Sequence, residues 1–224
     1  DGFEILALAG TESFGIYQGS VILDGPQSAL ALKGRFFFGR GSYDSDATLI
    51  ISNGTHYALA ANDQSTANFI GVSNARGDMF MEGGTLSCQY LRLGVNTGQG
   101  LATTNNLIIN NGELHVLGET GASESSVAFF MGANYLNNDS NAASQSARVE
   151  INGGLFNVPN GTFQLGGNSQ NSSGWQGVYL NGGTLAVKKF DIGSSYDVPK
   201  DIVFNGGTLR LINTDADGEV FNGG

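Results

Sequence analysis

Along most of the chain, apolar positions alternate with polar ones on both sides of a short glycine-bearing break. The skeleton runs apolar, any, apolar, polar, Gly or Asn, Gly, any, apolar, any, apolar. Full copies stand at MFMEGGTLSC (79–88), LIINNGELHV (107–116), VEINGGLFNV (149–158), VYLNGGTLAV (178–187) and IVFNGGTLRL (202–211). A looser copy is LIISNGTHYA (49–58), and a still looser one begins at VILDGP (21–26). Alternation with period two predicts strands with one inward and one outward face. Met79, Met81, Leu86 and Cys88 fall inward in one unit, and Val178, Leu180, Leu185 and Val187 in another. After the break the outward positions are mostly polar: Thr85, Ser87, Glu113, His115, Thr184, Ala186, Thr208 and Arg210.

The break itself predicts a sharp corner, because Asn and Gly both tolerate left-handed backbone. Its second turn position falls at Gly25, Gly54, Gly84, Gly112, Gly154, Gly183, Gly207 and Gly224, with successive spacings of 29, 30, 28, 42, 29, 24 and 17. A shorter phrase (apolar, any, apolar, Gly) follows each full copy at FFFG (36–39), NFIG (68–71), LRLG (91–94), FFMG (129–132), FQLG (163–166) and FDIG (190–193). Each unit therefore predicts three short strands, and one unit cannot bury its apolar face alone. Stacked units give an all-β fold, a parallel β-helix of about seven coils with roughly 29 residues per coil. Residues 1–224 then form a single domain, with 1–18 as an N-terminal strand, cap or exchange segment and 19–224 as the coils. Stacking also predicts that Asn110, Asn152, Asn181 and Asn205 share one corner column and hydrogen-bond along it.

Composition agrees with this pattern: charged residues make up 13%, with 35 Gly and only 3 Pro, which suits short strands and tight turns. The net charge of −10 argues against nucleic acid, whose binding needs clustered Lys and Arg. Cys88 is the only cysteine, so neither an internal disulfide nor a Cys-based metal site is available. No apolar run reaches the ~20 residues of a membrane span. The opening DGFEILALAG lacks a basic region before its apolar stretch and predicts a folded strand rather than a signal peptide.

Little catalytic chemistry is written on this frame. Glu82, Glu113, Glu150 and Asp191 are outward but predicted in different columns, as solvated acids rather than a converging set. His56 falls at an inward position, which predicts a core or corner role, and His115 faces outward without a predicted partner. HExxH, GxSxG and phosphate-loop motifs are missing. NTDADGE (213–219) spaces Asn213, Asp215 and Asp217 like the first half of a Ca²⁺ loop, but Gly224 stands where the closing acid belongs. A polar turn is the default there, with Ca²⁺ as the alternative and otherwise no cofactor. The sequons at Asn53, Asn138, Asn160 and Asn171 are about as many as the Asn content gives, and so say nothing about glycosylation.

Two outward columns run from apolar to polar along the stack. One is Phe37, Phe69, Arg92, Phe130, Gln164 and Asp191; the other is Ile50, Phe80, Ile108, Glu150, Tyr179 and Val203. Either long loops fold over them or they touch another molecule. Trp175 is expected to pack on the solenoid, with stacking on a sugar as the alternative.

The run GGTLAVKKFDIGSSYDVPKDIVFNGGTLRL (182–211) resembles the repeat of autotransporter-associated β-strand proteins, and a looser form of the unit covers 19–224. The resemblance implies a right-handed β-helix of the passenger type, extracellular or at the cell surface of a Gram-negative-type bacterium. A membrane barrel and a sorting segment, which complete autotransporters carry, are not in this sequence. The half phrase FNGG (221–224) and the apolar FEILALAG (3–10) suggest head-to-tail addition, with a cut from a longer repeat protein as the alternative. Phe3, Ile5 and Ala7 would then meet the edge at Val220, Phe221 and Gly224, with Phe37 and Phe69 as lateral contacts. The expected function is a non-enzymatic fibre subunit whose partner is a copy of itself. The alternatives are a β-helix that binds or cleaves surface glycans, or the stalk of a larger adhesin.

Overall fold

In a computed structural model the described residues are 4–7, 13–26, 29–32, 35–41, 46–59, 68–73, 75–95, 103–119, 127–132, 145–166, 174–192, 199–212 and 221–222. They are all-β, with no helix among them, and every strand pairing is parallel. Numbered along the chain, successive strands fall in turn into three columns, an arrangement consistent with a β-solenoid.

The first column stacks β1 (Glu4–Ala7), β4 (Ala29–Leu32), β7 (Thr55–Ala58), β10 (Thr85–Cys88) and β13 (Glu113–Val116). It continues through the first halves of β16 (Leu155–Leu165) and β18 (Thr184–Asp191) to β20 (Thr208–Leu211). The second column stacks β2 (Ser13–Ile16), β5 (Arg35–Gly41), β8 (Asn68–Ser73), β11 (Leu91–Val95) and β14 (Val127–Met131). The second halves of β16 and β18 then lead to β21 (Phe221–Asn222). The third column is β3 (Gly19–Leu23), β6 (Asp46–Ile51), β9 (Arg76–Met81), β12 (Thr103–Ile109), β15 (Gln145–Ile151), β17 (Gln176–Leu180) and β19 (Lys200–Phe204).

Register follows the repeated phrase. Leu86 pairs with His56 and Leu114, Leu114 with Phe156, Phe156 with Leu185, and Leu185 with Leu209. Those partners are 30, 28, 42, 29 and 24 residues apart, the same spacings as the corner glycines. A slip of one residue would turn each apolar row outward, so burial fixes the register. The loosest copy differs from expectation. Leu23 pairs with Ile51, which aligns Pro26, not Gly25, with Gly54. Gly54 has φ +86°, a value the proline ring forbids, and the chain reaches Leu32 from Leu23 with two more residues than Ala58 from Ile51.

The inward rows form one continuous core in which Met79, Met81, Leu86, Cys88 and Val187 are fully buried. Its aromatic centre is Phe129, Phe156, Phe163 and Phe190; Phe163 and Phe190 stack at 5.0 Å with planes 10° apart. Burying each such ring contributes about 1.5–3 kcal/mol. A second cluster of Phe37, Tyr90, Val95, Val127 and Phe130 lies apart from this core. In the outward row of the second column, Phe37, Arg92 and Phe130 are 1–3% exposed, so the protein covers this face itself. Phe37 is therefore not available as the lateral contact expected from the sequence.

Candidate functional site

The corners carry the clearest polar architecture. Asn205 Nδ2 donates to Asn181 Oδ1, Asn181 to Asn152, Asn152 to Asn110, and Asn110 to Glu82 Oε1, each at 2.8 Å. Asn181 donates a second bond to Glu150 Oε1 at 3.1 Å. The structure thus brings the four predicted asparagines into one ladder, in which amide dipoles align and end on a carboxylate. Because the ladder is exposed, each rung contributes about 0.5–1.5 kcal/mol at most. Beneath it Gly84, Gly112, Gly154, Gly183 and Gly207 all have positive φ, between +63° and +80°. At Gly154 a Cβ would lie 2.2 Å from the Gly112 carbonyl oxygen, so adjacent corners nest backbone on backbone.

Polar groups inside the wall were not foreseen, apart from His56. Asn68 is fully buried in the inward row otherwise held by Leu91, Phe129, Phe163 and Phe190. Its Oδ1 accepts the Phe36 N–H at 3.0 Å, and its Nδ2 donates to the Ala58 and Tyr90 carbonyls at 3.2 and 3.0 Å. Asn105, also buried, accepts the Gly77 N–H at 2.8 Å and fills the space where a Cβ on Gly71 would stand. The signal for Asn68 was legible: NFIG has Asn where its sister phrases have Phe or Leu.

His56 is buried at its inward position, with Nδ1 accepting the Leu30 N–H at 3.0 Å and Nε2 donating to the Asn53 carbonyl at 2.8 Å. Burial lowers its pKa below the ordinary 6.5, against the opposing pull of the Asn53 carbonyl. The unfolded chain therefore takes this proton first. Stability falls as pH drops through 6.5 and levels off once the folded histidine is itself protonated. Urea titrations at about pH 7.5 and about pH 5 should show this loss, and His56→Gln should show a smaller one. An equal loss in both proteins would place the sensitivity elsewhere.

The other titratable groups are dispersed. His115 has partners after all: Nε2 faces Glu113 Oε2 at 2.9 Å and Nδ1 faces the Asn157 amide at 3.1 Å. Glu82 ends the ladder, and Glu150 pairs with Arg148 at 2.5 Å. Asp191 lies in the second column, in the row of Gln164. Cys88 is buried, and burial pushes its thiol up to about 12 against the opposing charge of Arg92. Among the described residues no group of three His, Cys, Asp or Glu could hold a metal ion. Asn213, Asp215 and Asp217 lie outside the described residues.

The expected exchange residues are already engaged within their own chain where they are described. β1 pairs with β4, placing Ile5 beside Leu30 and Ala7 beside Leu32. It is thus the first strand of a column rather than an uncommitted segment. Phe221 pairs with Phe190 in β21, and Phe69 pairs with Phe37 and Arg92 in β8. Phe3 and Val220 fall outside the described residues.

Among the described residues the first and second columns hold eight strands each and the third seven, and every terminal strand has one partner. At the β19 and β20 end, core positions reach solvent: Phe204 is 55% exposed, whereas its register partner Leu180 is 1%. Leu211 is likewise 39% exposed beside the fully buried Val187. No protein-family model, curated protein or solved structure matches this chain.

Proposed function

We propose that this chain is a non-enzymatic structural subunit that adds end to end into an extracellular or cell-surface fibre. It is a right-handed parallel β-solenoid of about seven coils, roughly 29 residues each, of the kind found in autotransporter passenger domains. The observation that carries this proposal is the exposure of Phe204 and Leu211, core positions whose register partners Leu180 and Val187 are buried. A second copy supplies strands that cover them. Its β1 lies parallel beside β19, its β2 beside β20 and its β3 beside β21, after a rotation of one third of a turn. Such a contact is heterologous and does not close, so it propagates into a filament by strand addition.

Sedimentation velocity over a concentration series tests this proposal. The wild-type protein should shift to larger species as concentration rises. Phe204→Glu, at an exposed position, should stay folded and monomeric. A wild-type protein monodisperse throughout, or a variant that assembles as readily, would overturn it.

A further inference from the structure

Outward positions of β17 and the residue before it carry Trp175, Gly177 and Tyr179 in alternation. Both rings fold over the glycine. A Cβ on Gly177 would meet Trp175 Cζ2 at 2.6 Å and Tyr179 Cε2 at 2.7 Å, and the ring centroids are 6.0 Å apart with planes at 38°. Gly177 is thus the recess on which the two rings rest, and both residues stay partly exposed.

The strands on either side place charges beside this floor. Arg148 and Asp201 are the direct register neighbours of Gly177, one on β15 and the other on β19. Arg148 lies 5.2 Å from the Tyr179 centroid, and Asp201 Oδ2 accepts the Trp175 Nε1–H at 2.8 Å. Glu150 fixes Arg148 from behind. The result is an aromatic floor with a donor held over Tyr179 and an acceptor held beside Trp175.

From this geometry we infer that the Trp175–Tyr179 patch is a binding site for a neutral pyranose unit of a glycan chain. The negative face of an aromatic ring suits the C–H face of a sugar, and sugar hydroxyls both donate and accept. Glu150 neutralises Arg148, and Asp201 repels an anionic ligand, whereas a neutral hydroxylated ligand satisfies both groups. All of these residues belong to one chain, so the site is complete in a single copy, although Asp201 shares β19 with Phe204.

Trp175 is the only tryptophan, so its emission reports the site directly. Titrating the intact protein with soluble cello-, laminari-, chito- and manno-oligosaccharides to about 10 mM reaches sites with a Kd of about 1 mM. A saturable emission change with one of them is expected. Asp201→Asn, an exposed and isosteric change, should weaken it about tenfold with an unchanged circular dichroism spectrum. Trp175→Ala, followed by calorimetry, should abolish binding. No change with any oligosaccharide, or binding that Asp201→Asn and Trp175→Ala leave intact, would overturn the inference and make the cluster a packing feature only.

Discussion

Replacing Gly154 with alanine should lower the melting temperature by roughly 8–15 °C, corresponding to a loss of about 4 kcal/mol. Two costs add at this position. The backbone has φ +67°, where a side chain costs about 1–3 kcal/mol. The new Cβ would also stand 2.2 Å from the Gly112 oxygen and 2.9 Å from the Asn111 carbonyl carbon, both backbone atoms of the adjacent corner. Neither can rotate away, so the strands must part, at a further cost of about 1–3 kcal/mol. Gly19 separates the two effects, because it has φ +108° but a Cβ there would meet nothing within 4 Å. Gly19→Ala should show the backbone cost alone, at about half the loss. Equal losses in the two variants would mean that the corners do not nest as closely as described.

The second large effect is expected at Asn68. Asn68→Asp keeps the shape and the acceptor for the Phe36 N–H but turns the amide donor toward the Ala58 and Tyr90 carbonyls into a carboxylate oxygen. A charge at this fully buried position, facing two carbonyl oxygens, should cost about 3–5 kcal/mol near neutral pH. Its pKa in the folded state is then raised above the ordinary ~3.9. A raised acid loses stability as pH climbs from that value to the folded pKa, so the variant should recover much of the deficit by about pH 4. Chemical denaturation of both proteins at the two pH values measures the difference. A deficit that does not change with pH would show that charge burial is not the cause.

Much of the architecture was legible because burial and register constrain each other. Each full copy of the long phrase sets two inward rows and one corner, so the spacings of 30, 28, 42, 29 and 24 in the sequence reappear as strand partners. The loosest copy misled because VILDGP offers a glycine one place before the true corner, where proline forces another path. The asparagine ladder followed from stacking alone, whereas Asn68 is a single departure within one short phrase and Asn105 lies before its copy of the long one. The outer face of the second column was ambiguous because Tyr90, Val95 and Val127, which cluster with Phe37 and Phe130, lie outside the repeated phrases. Trp175 became informative only once Gly177, Arg148 and Asp201 were its neighbours, two of which come from other strands.

Electron microscopy of the purified protein over a range of concentrations tests end-to-end addition most directly. Among the described residues the columns hold eight, eight and seven strands, which at about 4.8 Å per strand predicts unbranched fibres with a subunit rise of roughly 37 Å and about a third of a turn between subunits, before any twist of the columns. Single short rods at every concentration, or bundles without that axial repeat, would contradict it.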